Sequence, residues 1–314
     1  MVHLMRRLIL LATILLIGTS PNSALAKPIR RPAIPPAIYT DPPSDPAHPP
    51  RMEVLHVPSG GVDINGVAYL AAGEGPHPTV ILLHGLPGNE KNLDLAQAIR
   101  RAGWNVVTFN YRGSWGSPGT FSFEGDLSDA KAVLAFVRDP ANAKSFGVDT
   151  NRLVLAGHSM GGWVTALTAA QDSKLAGAVM ISAADMGGRG ALAAAKPMII
   201  KTMSENMETL ASTPEKMADE IIAISPRLSF NAAVAKGLST KPLLVLTSDD
   251  GLAANAEKLV KAIQADGGTQ VTLHHEATDH SWSGKRVALE AAVITWLEGL
   301  PQSPGPQASV SRRR

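Results

Sequence analysis

The chain has 314 residues, 29 lysines and arginines against 27 aspartates and glutamates, and no cysteine. The missing thiol excludes disulfides, thiol catalysis and cysteine lipidation. The near balance of charge argues against the basic face that nucleic-acid binding requires, so no nucleic-acid partner is expected.

In chain order, Arg6 and Arg7 precede an apolar run, Leu8 to Ile17, and then Ala24-Leu25-Ala26. This pattern predicts a signal peptide over 1–26, cut before Lys27, and export to the periplasm or the extracellular space. The run is too short to span a bilayer comfortably, so no stable membrane insertion is expected after cleavage. Residues 27–51 carry Pro35-Pro36, Pro42-Pro43 and Pro49-Pro50 and read as an extended linker. The folded domain is expected over 52–300, with a disordered tail over 301–314.

Within the domain, strand-like runs fall near 53–57, 66–71, 78–84, 104–109, 152–157, 176–182, 242–247 and 270–275. Helical runs fall near 91–102, 126–138, 162–171, 254–265 and 286–299. Alternation of the two predicts an α/β fold: a mostly parallel sheet with helices on both faces. The first two strands have no helix between them and should form an antiparallel edge. Residues 186–238 interrupt the alternation. Two helical stretches, 197–210 and 214–224, open on Pro197 and Pro214, a residue suited to a first helical turn. They hold Met198, Met203, Met207 and Met217. This segment reads as a separate helical insertion, its methionines mostly packing it onto the main domain.

The chemistry concentrates in Gly157-His158-Ser159-Met160-Gly161-Gly162. An apolar run precedes it and a helix-like run follows, which places Ser159 on a sharp strand-to-helix turn. Gly157 and Gly161 remove side chains that would collide across such a turn. The N–H of Met160, at the helix start, can face a developing oxyanion. Upstream, Val80 to Leu83 lead into His84-Gly85-Leu86-Pro87-Gly88. Leu86 is the candidate second oxyanion donor, since Pro87 has no N–H. Downstream, Leu243 to Leu246 lead into Asp249-Asp250-Gly251-Leu252, and His280 lies between the last strand and the last helix. Either Asp250 or Asp249 can orient His280, which would serve as general base and acid for Ser159.

These motifs, His84-Gly85, Asn110-Tyr111-Arg112-Gly113, Gly157-x-Ser159-x-Gly161, Asp250 and His280, stand in an order that resembles the α/β-hydrolase superfamily. The run Asn110 to Gly116 is similar to the dienelactone hydrolase and prolyl-oligopeptidase-like branches. Asp250-Gly251-Leu252-Ala253 resembles the family's Asp-Pro-Leu-Val, which favours Asp250 over Asp249. The resemblance implies a catalytic Ser159–Asp250–His280 set at the C-terminal edge of the strands and no cofactor. It implies a serine hydrolase, most simply a carboxylic ester hydrolase, with a small helical cap at about 186–238, some of whose methionines line an apolar acyl pocket; export rests on the amino-terminal pattern. A peptidase acting on short peptides, or a non-catalytic binding protein on the same fold, is the alternative. The expected partner is accordingly a small ester or a short peptide.

Other residues carry less. His274 and His275 are strand neighbours that point to opposite faces and cannot chelate one ion together, and no metal is expected. His84 and His158 flank the proposed site and read as structural members of their turns. Arg112 reads as a loop anchor before a carboxylate binder, and Tyr111 as an improbable oxyanion contact.

Overall fold

The computed structural model describes residues 34–205 and 207–301. The expected signal peptide and most of the expected tail lie outside them. Eight strands form one sheet: β1 (Arg51–Ser59), β2 (Val62–Leu70), β3 (His77–Leu83), β4 (Asn105–Phe109), β5 (Val148–His158), β6 (Gly177–Ile181), β7 (Leu243–Ser248) and β8 (Val271–Glu276). Their order is β1-β2-β4-β3-β5-β6-β7-β8. β1 and β2 pair antiparallel with each other, and β2 pairs antiparallel with β4. All other pairings are parallel. The fold is therefore the expected one, with the antiparallel edge at the start of the chain.

Period-two alternation sorts the central strands between two cores. Ile81, Leu83, Leu153, Leu155, Ala178, Met180, Leu243 and Val245 face one. Val80, Leu82, Val154, Ala156, Val179, Ile181, Leu244 and Leu246 face the other. The first core is closed by α2 (Phe123–Arg138), α3 (Pro140–Phe146) and α4 (Met160–Gln171), together with α8 (Ala232–Leu238) and α9 (Ala253–Ala265). The second is closed by α1 (Leu93–Arg101) and α10 (Arg286–Glu298). Buried on both faces, β3, β5, β6 and β7 read as continuous apolar runs, which is what a covered parallel sheet requires. Edge strand β8 is largely exposed and offers Thr272, His274, His275 and Glu276. Polar and charged side chains of this kind discourage edge-to-edge pairing.

The segment between β6 and β7 holds α5 (Met186–Arg189), α6 (Lys196–Ser204), α7 (Pro214–Leu228) and α8. Thr213 caps α7 by accepting from the Lys216 N–H, with Pro214 at the first helical position. The short helices α3, α5 and α8 were not expected; at four to seven residues they show too little periodicity to read. The proline-rich stretch also differs from an extended linker. Pro36–Ile38 form a 3-10 turn. Ala37 and Ile38 pack on the second core, and Arg101 Nε donates to the Ala37 carbonyl at 2.5 Å. Among the described residues no helix is long and apolar enough to cross a membrane.

Candidate active site

Ser159 stands between β5 and α4 with φ 57° and ψ −121°. For a serine this is a strained conformation, and strain of this kind gathers at functional sites. Close packing holds it. A Cβ on Gly157 would lie 2.1 Å from the Gly161 carbonyl oxygen, and one on Gly161 would lie 2.4 Å from that of Leu83. The Ser159 N–H donates to the Ile181 carbonyl at 2.9 Å, and the Ser159 carbonyl accepts from the N–H groups of Gly162 and Ala184, each at 3.0 Å. At the far end of α4, the Lys241 ammonium donates to the carbonyls of Ala169 (2.5 Å) and Asp172 (2.9 Å), where a cation meets the negative end of the helix dipole.

His280 Nδ1 lies 2.7 Å from a carboxylate oxygen of Asp250. The other oxygen of Asp250 accepts from the Leu252 N–H at 2.9 Å. The neighbouring acid, Asp249, faces away and meets His275 Nε2 at 3.1 Å with 64% of its side chain exposed, against 4% for Asp250. One step along the chain thus separates a surface carboxylate from a buried one. Burial raises the Asp250 carboxyl, yet the hydrogen bonds from His280, the Leu252 N–H and Ser248 outweigh it and hold it below the usual value. The carboxylate keeps a proton on His280 Nδ1 and leaves Nε2 free to accept one.

A buried chain of donors supports that carboxylate. Trp282 Nε1–H donates to the Ser182 hydroxyl at 2.9 Å, the Ser182 and Ser248 hydroxyls lie 2.7 Å apart, and Ser248 stands two residues before Asp250. Ser182 accepts from Trp282, which leaves its own proton available to Ser248. Ser182 and Trp282 both have positive φ, 43° and 60°. Sequence reasoning missed this network, since it joins three separate segments, one of them the end of β7, and follows no local pattern.

The flanking histidines are structural. His158 Nε2 donates to the His280 carbonyl at 2.8 Å, and its ring packs on that of His280 with centroids 4.6 Å apart. Burial lowers its pKa to about 4. His84 is likewise lowered to about 4 by burial, with Nδ1–H on the Gly85 carbonyl at 2.7 Å. Arg112 anchors its loop as expected: Nε donates to Asp129 at 2.6 Å and a terminal nitrogen to the Gly125 carbonyl at 3.1 Å. Tyr111 is fully buried and edge-on to His84 rather than in the cavity. His274 and His275 turn to Glu276 and Asp249 respectively. Among the described residues no cluster suits a metal ion.

Ser159, Asp250 and His280 line one cavity of about 270 Å³, together with Leu86 and Met160. A Cβ on Gly85 would stand 2.8 Å from Ser159 Cβ and 3.3 Å from its Oγ. The bare glycine therefore lets the Leu86 loop approach the serine. As the first residue of α4, Met160 has an N–H with no acceptor in its own helix. The cap contributes Met203, Leu210 and Met217, and α5 contributes Met186 and Arg189. Of the cap methionines, Met198 is exposed and Met207 is half-buried against the core. The cavity wall is thus partly methionine, and those same side chains are buried in the core.

A buried carboxylate paired with a partly exposed imidazole, sharing a cavity with a strained serine at the C-terminal edge of a parallel sheet, defines a hydrolase of the α/β type. Residues 80–288 match the model of the alpha/beta hydrolase family, and the chain belongs to that family. It is 40% identical over 85 residues to the uncharacterized protein YfhR of Salmonella typhi, a stretch covering 27% of each chain. It therefore spans 27% of the length of the curated relatives it matches first. Among solved structures it is similar to EstE1, a thermostable carboxylesterase cloned from a metagenomic library. That likeness has 23% identity and a TM-score of 0.61, covering 81% of this chain and 91% of that one. It is also similar to a Pyrobaculum calidifontis esterase, at 18% identity and a TM-score of 0.60 over 79% and 85% of the two chains. At these identities the structural likeness speaks for the fold.

Proposed function

We propose that this hydrolase is an exported serine esterase that cleaves small carboxylic esters through an acyl-enzyme on Ser159. The observation that carries the reading is the 2.7 Å Asp250–His280 pair sharing one cavity with Ser159. Export rests on the amino-terminal sequence pattern alone. In the first half-reaction Ser159 Oγ bonds to the ester carbonyl carbon while His280 Nε2 takes its proton. The oxyanion is held by the N–H groups of Leu86 and Met160. The carbon–oxygen bond to the alcohol breaks, and His280 gives that alcohol the proton. In the second half-reaction His280 takes a proton from water, the hydroxide bonds to the acyl carbon, and the Ser159 bond breaks. The acid leaves and Ser159 regains its proton. The cavity volume lies just below the usual range for sites that enclose drug-sized ligands, which favours short acyl groups.

The test is treatment of the purified protein with a fluorophosphonate probe, followed by p-nitrophenyl ester and aminoacyl anilide turnover. Ser159 is expected to be labelled, and Ser159→Ala and His280→Ala are each expected to lose at least ~1000-fold in ester turnover. Faster anilide than ester cleavage would move the reading to a peptidase. Unlabelled, well-folded protein without turnover would leave a binding protein.

A further inference from the structure

One charged side chain in the cavity has no place in the scheme above. Arg189, at the end of α5, lines the cavity that holds Ser159 and His280. Arg189 is exposed, whereas three half-buried arginines meet carboxylates: Arg112 meets Asp129, Arg138 meets Asp172, and Arg286 meets Asp94. Arg189 has no such partner among the described residues. Asp185 is the nearby acid, four residues back along the chain. Its two oxygens, however, already accept from the N–H groups of Gly188 (2.9 Å) and Phe230 (3.1 Å). The acid in the cavity itself, Asp250, is committed to His280 and Leu252.

The backbone that carries Arg189 is tightly seated. A Cβ on Gly187 would lie 2.4 Å from the Leu228 carbonyl oxygen, and one on Gly190 would lie 2.2 Å from that of Ile221. Glycines thus let α5 lie directly on the backbone of α7, which fixes where the arginine starts. Met186, Met203 and Met217 line the same cavity. Guanidinium pairs with carboxylate in two parallel hydrogen bonds.

We propose that Arg189 is the recognition site for a carboxylate on the substrate, and that the preferred substrates are monoesters of short dicarboxylic acids. The apolar wall would hold the methylene chain, Arg189 the free carboxylate, and Ser159 the ester carbonyl. This rests on the esterase reading, and the test keeps the two apart.

The experiment compares mono-p-nitrophenyl glutarate with neutral p-nitrophenyl butyrate, using wild type, Arg189→Gln and Arg189→Lys. A third substrate, 4-butyryloxybenzoate, moves the carboxylate to the alcohol side. Arg189→Gln is expected to lose about 10- to 100-fold more in kcat/KM on the glutarate ester than on the butyrate, mainly through KM, as for loss of a charged hydrogen bond. Arg189→Lys should fall between, and added salt should raise KM for the glutarate ester alone. Equal losses on the two esters, or no loss on either, would overturn the proposal. A selective loss on the benzoate ester instead would overturn the dicarboxylic acid assignment. If Ser159 is neither labelled nor active, the esterase reading fails separately. Calorimetric binding of monomethyl glutarate then decides, since equal affinity for wild type and Arg189→Gln would refute the carboxylate site.

Discussion

Replacing Asp250 by Asn, with Asp249→Asn alongside, probes the pairing on which the mechanism depends. Asp250 serves two donors with two oxygens: His280 Nδ1–H on one and the Leu252 N–H on the other. An amide has one acceptor oxygen and one NH₂ group, so it cannot serve both. If the amide oxygen keeps Leu252, the NH₂ faces His280 and forces its proton onto Nε2, where it blocks transfer from Ser159. If the amide turns over, two N–H donors face each other at Leu252. The first arrangement disables the base, and the second keeps it only by leaving the Leu252 N–H against another donor; loss of the orienting acid in a serine triad lowers kcat by ~10,000-fold, about 5 kcal/mol of transition-state stabilisation. Asp249 is 64% exposed and meets only the exposed His275. Its replacement should change kcat less than twofold and stability by no more than about 0.5 kcal/mol. Turnover of p-nitrophenyl butyrate, with circular dichroism to establish folding, gives the answer. If Asp250→Asn keeps more than a tenth of wild-type kcat, or if Asp249→Asn loses as much as it does, the assignment of the acid is wrong.

Trp282→Phe keeps the buried ring but removes the Nε1–H that orders the Ser182–Ser248 chain; kcat should fall about 10-fold and stability by about 1–3 kcal/mol, whereas unchanged kinetics would show that the chain does not position Asp250. Gly157→Ala drives a methyl group into the Gly161 carbonyl, 2.1 Å away, while Gly284→Ala meets nothing within 4 Å. Thermal unfolding should show a loss of about 3 kcal/mol or more for the first and about 0.5 kcal/mol or less for the second, and equal melting temperatures would contradict the packing of the elbow. His84 and His158 have folded-state pKa values of about 4, below the unfolded value of 6.5. Between those limits the unfolded chain binds protons that the folded chain refuses, so stability should fall as pH drops from about 6.5 to about 4. Each histidine contributes at most about 3 kcal/mol. Urea unfolding of His158→Gln across this range should be flatter than wild type; parallel curves would show that His158 is not held neutral.

Much of this architecture is legible in the sequence because its causes are local. Runs such as Leu153 to Ala156 and Leu243 to Leu246 must bury both faces, so they read as central parallel strands without any coordinates. Gly157 and Gly161 around Ser159 announce a turn too tight for side chains, and the structure supplies the carbonyl oxygens that exclude them. Other features are decided only when distant segments meet. Asp249 and Asp250 are chemically the same residue, and only the path of the chain after β7 decides which is buried beside His280. Ser182 and Trp282 lie on loops and Ser248 at the end of β7, and their hydrogen bonds exist only after the sheet brings these segments together. Arg189 resembles any other arginine in the sequence. It comes to line the cavity of the nucleophile because α5 is seated on α7 through Gly187 and Gly190. Secondary structure follows from the apolar pattern and turn chemistry of neighbouring residues. The environment of a charge depends on which distant side chains surround it, and tertiary packing alone sets that.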